Sequence, residues 1–572
     1  MKGGVQSRWF HGLLLLSWVL LGASFRFARL SAKPPWTDEF STLVFSLGQS
    51  YTAVPLNQLV SLETLLLPLH FNAEASVFSV AEGLLVDNVH PPLYFMLAHE
   101  WMKLFLPDGA LASIWVARSL PAVLGVASIP AVFGLSWLAF RSRLVSQLAA
   151  GMMAISPYAL FLAQEARHYT LSILWVIAAL SLLVVAVQRI EQHKPIAGWL
   201  VVVWIGLNAL AIATHYLFLI TLAASALVLL RLAIAQARKD WRKLLQPHWL
   251  RIYFVALGTV AICLAWLPTW RRIPSHNLTQ WIQDDSNLGI LSLINPIFQA
   301  IATWITMLAL LPVESALLPI MLVSGFLMII YFLWAIPLLK RGLWHQPTRL
   351  AQRSVHLFGT FIIGAIVLFF LISYAGSDLT RGARYNFVYF PAVIVLIGAS
   401  LAVWWRFPTR AVATSSGSRQ WSGLSGRQSV LLVGMVGLLS AVTVVSNLGY
   451  QKYYRPDLLV PLMQRSTVPI LAATTHNTSI QVGEIMGVGW QLPQSFSSQV
   501  QFLLAHAEDP TCSENCSATQ TLDRSIAQLP RPFDLWLINF HAPAQPEAQS
   551  CRLDANPPQH INGYEYRLYH CS

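Results

Sequence analysis

The chain has 572 residues, of which 55% are hydrophobic and only 11% charged, with 22 Trp and a mean hydropathy of +0.55. A chain this apolar cannot present an ordinary soluble surface, so most of it belongs in lipid. The net charge of +12 does not point to nucleic acid, and none is expected as a partner. Lys and Arg gather between apolar runs, as in the cytoplasmic loops of membrane proteins.

In chain order, the first apolar run covers residues near 10–30, behind Lys2 and Arg8. A signal peptide competes for this stretch, but no small-residue cleavage site follows Ala23, and Arg26 and Arg29 come at once. An uncleaved first helix is therefore expected. Further runs long enough to cross hydrocarbon lie near 113–139, 144–163, 169–188, 197–214, 217–234, 251–270, 317–338, 356–374, 387–404 and 429–447, about eleven spans in all. Basic clusters occupy alternate loops: Arg141 and Arg143, Arg189 and Lys194, Arg231 to Arg251, Lys340 to Arg353, and Arg406 to Arg427. Placing them inside makes this a multi-pass protein of the plasma (inner) membrane, with a cytoplasmic N-terminus and an outer C-terminus. Two other hydrophobic stretches, 91–106 and 289–312, would break the alternation. They are expected to lie along the outer interface, the first anchored by Trp101 and Lys103.

Residues 1–447 thus read as a transmembrane domain with a first outer loop at 31–112, and residues 448–572 as a small soluble α/β domain. The latter carries strand-like runs at 468–473, 533–540 and 564–569 between Pro, Asn and Ser clusters. Four of the five cysteines, Cys512, Cys516, Cys551 and Cys571, fall there. On the outer side they suggest two disulfides with three possible pairings, a zinc site being the rival reading of Cys512 and Cys516. Residues 414–428, rich in Ser, Gly and Arg, read as a cytoplasmic loop.

This topology collects ionisable residues on the outer face. After the first span comes Trp36-Thr37-Asp38-Glu39, then Asp87-Asn88-Val89-His90-Pro91-Pro92-Leu93-Tyr94. Arg118 stands at the mouth of the second span. Gln164-Glu165-Ala166-Arg167-His168-Tyr169, His215-Tyr216, and the run Arg381-Gly382-Ala383-Arg384-Tyr385 complete the set. Singly, an Arg at a helix end is most often a snorkelling anchor, a Tyr there part of the aromatic belt, and an acidic pair a helix-start residue. Their co-occurrence on one side favours function, because ionisable groups near lipid are costly.

The order of an acidic pair after the first span, His-Pro-Pro-Leu-Tyr before the second, Arg-Ser-Leu-Pro at 118–121, Ser-Pro-Tyr at 156–158 leading into Gln-Glu-Ala-Arg-His-Tyr, and Ala-Arg-Tyr at 383–385 resembles the polytopic GT-C glycosyltransferases of family 39. These are relatives of protein O-mannosyltransferases and lipid A aminoarabinose transferases. The resemblance spans roughly residues 10–400 and implies sugar transfer from a polyprenyl-phosphate carrier to a lipid, glycan or protein acceptor at the outer face. It assigns the catalytic carboxylate to Asp38, with Glu39 its neighbour. Where the aminoarabinose transferases carry an Asp shortly after the third span, this chain offers Glu165, a further candidate catalytic residue.

The chemistry agrees with that assignment. An attacking acceptor needs a carboxylate as base, and the departing phosphate needs fixed cations or strong donors. Arg167, Arg384 and His90 suit this, with Arg118, Arg381, His168, Tyr169, His215 and Tyr385 as further donor-binding candidates. A divalent metal on Asp38 and Glu39 is left open, since no tight ligand spacing demands one. A lipid-linked sugar flippase would more typically show mid-span ionisable residues and internal repeats. The remaining alternative is a non-catalytic assembly or receptor protein.

Overall fold

The structure is a computed structural model that describes residues 2–88, 90–272, 281–283, 290–406, 424–506 and 517–572. It divides into two compact units. One comprises Met1–Leu30, Val89–Tyr94 and Arg118–Tyr450, the other Ser31–Asn88, Phe95–Ala117 and Gln451–Ser572. Residues 31–88 and 95–117 thus group with the C-terminal segment.

The first unit is helical because lipid offers the backbone no hydrogen-bond partner. Among the described residues eight helices are long and apolar enough to cross a membrane: Trp9–Phe27, Ile114–Phe140, Tyr169–Glu191, Phe218–Ala237, Pro247–Trp270, Leu318–Trp344, Arg349–Tyr374 and Gly426–Val445. The expected span at 144–163 is a pair, Arg143–Ile155 and Pro157–Ala163, bent by 55°. Gly198–Ile212 and Phe390–Arg406 stand at the other two positions but have only 15 and 17 residues. The second starts late because Ala383–Val388 is wound as a 3₁₀ turn. The stretches expected at the interface hold the helices Leu93–Lys103 and Ile290–Leu308.

The bend has a definite cause. Pro157 lacks an N–H and disfavours a helical residue before it, so the helix must stop and restart at Ser156. Ser156 caps the restart by accepting from Ala159 N, and its hydroxyl donates to Met307 O at 2.8 Å. The broken end leaves carbonyls without intrahelical partners. The fully buried Arg26 guanidinium supplies donors, with Met153 O at 2.9 Å and Ala154 O at 3.1 Å. Helix Phe390–Arg406 lies hard against Arg143–Ile155, where a Cβ on Gly398 would stand 2.7 Å from Ala149 N.

The second unit is built on a six-stranded sheet. Its strands are β1 (Leu59–Val60), β2 (Ile470–His476), β3 (Val500–His506), β4 (Phe533–Ile538), β5 (Cys551–Leu553) and β6 (Tyr566–Cys571), in the order β1-β3-β2-β4-β6-β5. The central three are parallel and the rest antiparallel. As central strands, β2 and β4 are buried almost throughout, including the polar Thr474, Thr475 and Asp534. Helix Ala518–Gln528 packs one face through Ala518, Leu522 and Ile526, spaced four apart. β1 comes from the segment between the first two membrane-length helices. Cys551 and Cys571 are disulfide-bonded across β5 and β6. Cys512 and Cys516, like most of residues 414–428, lie outside the described residues, and Cys263 is a free thiol.

Candidate functional site

In the helical unit the candidate residues gather on the loop between Pro157–Ala163 and Tyr169–Glu191. Gln164 ties this loop to the end of the first helix, its amide donating toward Ala28 O at 3.0 Å and Phe25 O at 3.1 Å. A tight turn, Arg167 N to Glu165 O at 2.7 Å, then brings Glu165, Arg167 and His168 into the interior, each no more than 2% exposed. Arg167 Nη2 reaches His90 Nε2 at 3.5 Å, and its guanidinium lies 5.9 Å from the Tyr169 ring centroid.

His168 is the centre of an aromatic cluster. Its ring centroid is 4.6 Å from both Tyr169 and His215, 6.0 Å from Tyr94 and 6.1 Å from His90. Neither ring nitrogen has a hydrogen-bond partner among the described residues. A buried polar group left in that state costs about 1–3 kcal/mol and is normally retained for a reason. Burial first, then the neighbouring His215, Arg167, His90 and Arg384, hold His168 well below the usual histidine range, so the ring is neutral. His215 is held low by burial and then by His90, Arg167 and Arg384. Its Nδ1 accepts from Leu217 N at 3.1 Å, which puts the proton of the neutral ring on Nε2 as a donor.

Arg384 is set by its backbone. Tyr158, from the Ser-Pro-Tyr motif, donates its hydroxyl to Arg384 O at 2.9 Å and lies 3.2 Å from Ala383 O. Two motifs far apart in sequence thereby form one structure. The guanidinium stands 5.0 Å from Trp281 and 5.3 Å from Tyr385, cation–π contacts that offset desolvation while leaving the charge in place. Two other candidates take bracing roles. Arg118 is fully buried and donates to Leu30 O at 2.9 Å. Arg381 is 3.5 Å from Asp378 and donates to Trp281 O at 2.8 Å.

In the sheet-bearing unit, Asp38 and Glu39 occupy the first turn of helix Thr37–Ser46, where carboxylates complement the helix dipole. They differ sharply. Asp38 is partly exposed, whereas Glu39 is 0% exposed and 3.6 Å from Lys452, itself only 6% exposed. Nearby, Glu484 is held through its two oxygens, Oε1 accepting from Tyr454 and Oε2 from Asn539, each at 2.9 Å. Burial pushes the Glu484 carboxyl up. Burial, then Glu484, pushes the Tyr454 phenol up as well, so Tyr454 stays a donor. Lys452, Tyr454, Glu484, Asn539 and Trp281 carry no motif. Their roles depend on partners distant in sequence, and no periodic signal marks them. Among the described residues no three His, Cys, Asp or Glu side chains converge as a metal ion would need.

The fold and these clusters define a polytopic helical membrane protein with a small α/β unit. No protein-family model and no curated protein sequence matches the chain. Among solved structures it is similar to apo ArnT from Cupriavidus metallidurans (13% identity, TM-score 0.49, 99% of this chain and 98% of that one). It is similar also to ArnT from the same organism bound to undecaprenyl phosphate (13%, TM-score 0.46, 98% and 97%). A third similar structure is the oligosaccharyltransferase AglB from Archaeoglobus fulgidus, in complex with an inhibitory peptide and a dolichol-phosphate (12%, TM-score 0.48, 93% and 70%).

Proposed function

We propose that the protein is a membrane glycosyltransferase that moves a sugar from a polyprenyl-phosphate carrier to an acceptor at the outer face. The observation that carries this reading is the set formed by Arg167 and His168, both buried, with the half-buried Arg384 and His215. It combines two fixed guanidiniums with neutral imidazoles in a membrane-embedded unit. Such a set suits a lipid-linked phosphate, whose oxygens accept bidentate guanidinium hydrogen bonds. His215 Nε2–H adds a donor that stays neutral.

In the reaction, the acceptor hydroxyl or amine attacks the anomeric carbon. The bond from that carbon to the phosphate oxygen breaks, and its electron pair leaves on the carrier phosphate, where Arg167 and Arg384 stabilise the growing charge. The acceptor's proton passes to Asp38. A phosphate leaves readily, so no second carboxyl need protonate it, unlike glycosidic cleavage. Glu39, consumed by its pairing with Lys452, supports the helix and not the chemistry. Basic loops inside and the C-terminal unit outside complete the proposed orientation.

Native mass spectrometry of the purified protein with added polyprenyl phosphate tests the binding half. A one-to-one adduct is expected, weakened in Arg167→Ala and Arg384→Ala. Equal adduct formation in wild type and both variants would remove the phosphate from this site.

A further inference from the structure

Helix Thr37–Ser46 begins without the usual anchor. Its cap position is Trp36, whose side chain accepts nothing from the first turn. Ser, Thr, Asp or Asn normally fills that role. The first turn is closed by backbone hydrogen bonds, Glu39 N and Phe40 N donating to Trp36 O at 2.8 and 3.0 Å. What holds it comes from the C-terminal segment of the same unit. Lys452 Nζ is 3.6 Å from the buried Glu39 carboxylate and 5.5 Å from the Trp36 ring centroid, so it contacts one residue directly after Asp38 and one two positions before it. Phe40 packs edge-on against Trp490 at 6.3 Å, and a Cβ on Gly483 would lie 3.5 Å from Thr37 Cα.

We infer that Lys452 is a positioning residue for Asp38: by neutralising Glu39 and covering Trp36 it fixes the turn from which Asp38 projects. The inference rests on the assignment of Asp38 as base. It also gives the C-terminal segment a task in the reaction, that of locking the catalytic turn. A carboxylate as deeply buried as Glu39 needs its cation, and Glu39 is one residue from Asp38. Loss of Lys452 is therefore felt first where a displacement of an ångström matters most to rate.

The test is steady-state kinetics of the purified full chain with a polyprenyl-phosphate sugar. Lys452→Met should lower kcat about 10- to 100-fold, with donor KM within about twofold of wild type. Lys452→Arg, which keeps the cation, should recover most of the rate. A double variant, Glu39→Gln with Lys452→Met, removes both buried charges and serves where the single variant fails to fold. It too should turn over slowly at an ordinary KM. Wild-type kcat in Lys452→Met or in the double variant, or a defect confined to KM, overturns the inference. Asp38→Asn, assayed alongside, separates the two assignments. If it is inactive while the Lys452 variants are unimpaired, only the positioning role falls; if it is active, the base assignment falls and the positioning role with it.

Discussion

In the helical unit the charges are cushioned by rings, the buried Arg167 guanidinium against Tyr169 and the half-buried Arg384 guanidinium against Trp281 and Tyr385, or braced on backbone carbonyls, as Arg26 and Arg118 are. In the sheet-bearing unit they are carboxylates held by dedicated partners, Glu39 by Lys452 and Glu484 by Tyr454 and Asn539. A ring lowers the cost of burying a cation without cancelling its charge, so the first arrangement keeps its attraction for an anion. A lysine or paired donors satisfy a carboxylate outright, so the second arrangement is scaffolding. Burial alone therefore does not mark a working carboxylate here. The partly exposed Asp38, beside the buried Glu39, is the better candidate.

The comparison breaks most visibly at Asp38. Asp38→Asn keeps size and removes basicity, so transfer should fall by about 100- to 10,000-fold while expression and lipid binding persist. Glu39→Gln should lose clearly less. Comparable losses in both, or near-normal turnover in Asp38→Asn, would undo the distinction. On the cationic side, Arg167→Ala and Arg384→Ala should each weaken donor binding by roughly 10- to 100-fold, the scale of a lost hydrogen bond to a charged group. Lys at either position should restore part of it, because charge returns without the bidentate fork. Titration of donor binding by native mass spectrometry or calorimetry checks this.

Smaller effects sharpen the account of the sheet-bearing unit. Cys551→Ser opens a crosslink between residues 20 apart and should cost about 2–4 kcal/mol of that unit's stability, read as a lower melting temperature. His476 on β2 faces His506 on β3 in register, with ring centroids 5.3 Å apart. Burial first, and His506 next, lower His476 from the usual 6.5 to about 4. The unfolded chain then takes the proton first. The contribution to stability is full above pH 6.5 and is lost as pH falls through that window toward 4. His476→Gln should flatten that part of the melting-temperature profile, and an unchanged slope would contradict the assignment.

Much of the helical unit was legible because apolar length is a local property. The run at 144–163 also contained its own break, since Pro157 is visible in sequence. The strands β2, β4 and β6 fall on the expected runs with small shifts, to Ile470–His476, Phe533–Ile538 and Tyr566–Cys571. What was not legible depends on distant partners. β1 is two residues of the segment between the first two membrane-length helices, defined by pairing Leu59 with Leu503 and Val60 with Phe502. β3 is apolar and framed by Pro493 and Ser497-Ser498 before it and Asp509-Pro510 after it, yet was not among the expected strands. The bracing roles of Arg118 and Arg381 are set by Leu30 O, Asp378 and Trp281 O, and an arginine's own neighbours do not reveal which carbonyl it will meet. Glu39 and Asp38 look alike in sequence; only Lys452, more than four hundred residues away, distinguishes them.

The central claim, that this protein catalyses sugar transfer from a lipid-linked phosphate, is tested most directly by donor turnover in detergent solution. Purified protein with a radiolabelled polyprenyl-phosphate sugar and membrane-extract acceptors should release free polyprenyl phosphate in step with label moving to acceptor. A nucleoside-diphosphate sugar should not substitute as donor, and Asp38→Asn should abolish the release. Donor that binds tightly yet stays intact with every acceptor fraction, in wild type as in Asp38→Asn, would contradict a transferase and favour a lipid-sugar transporter.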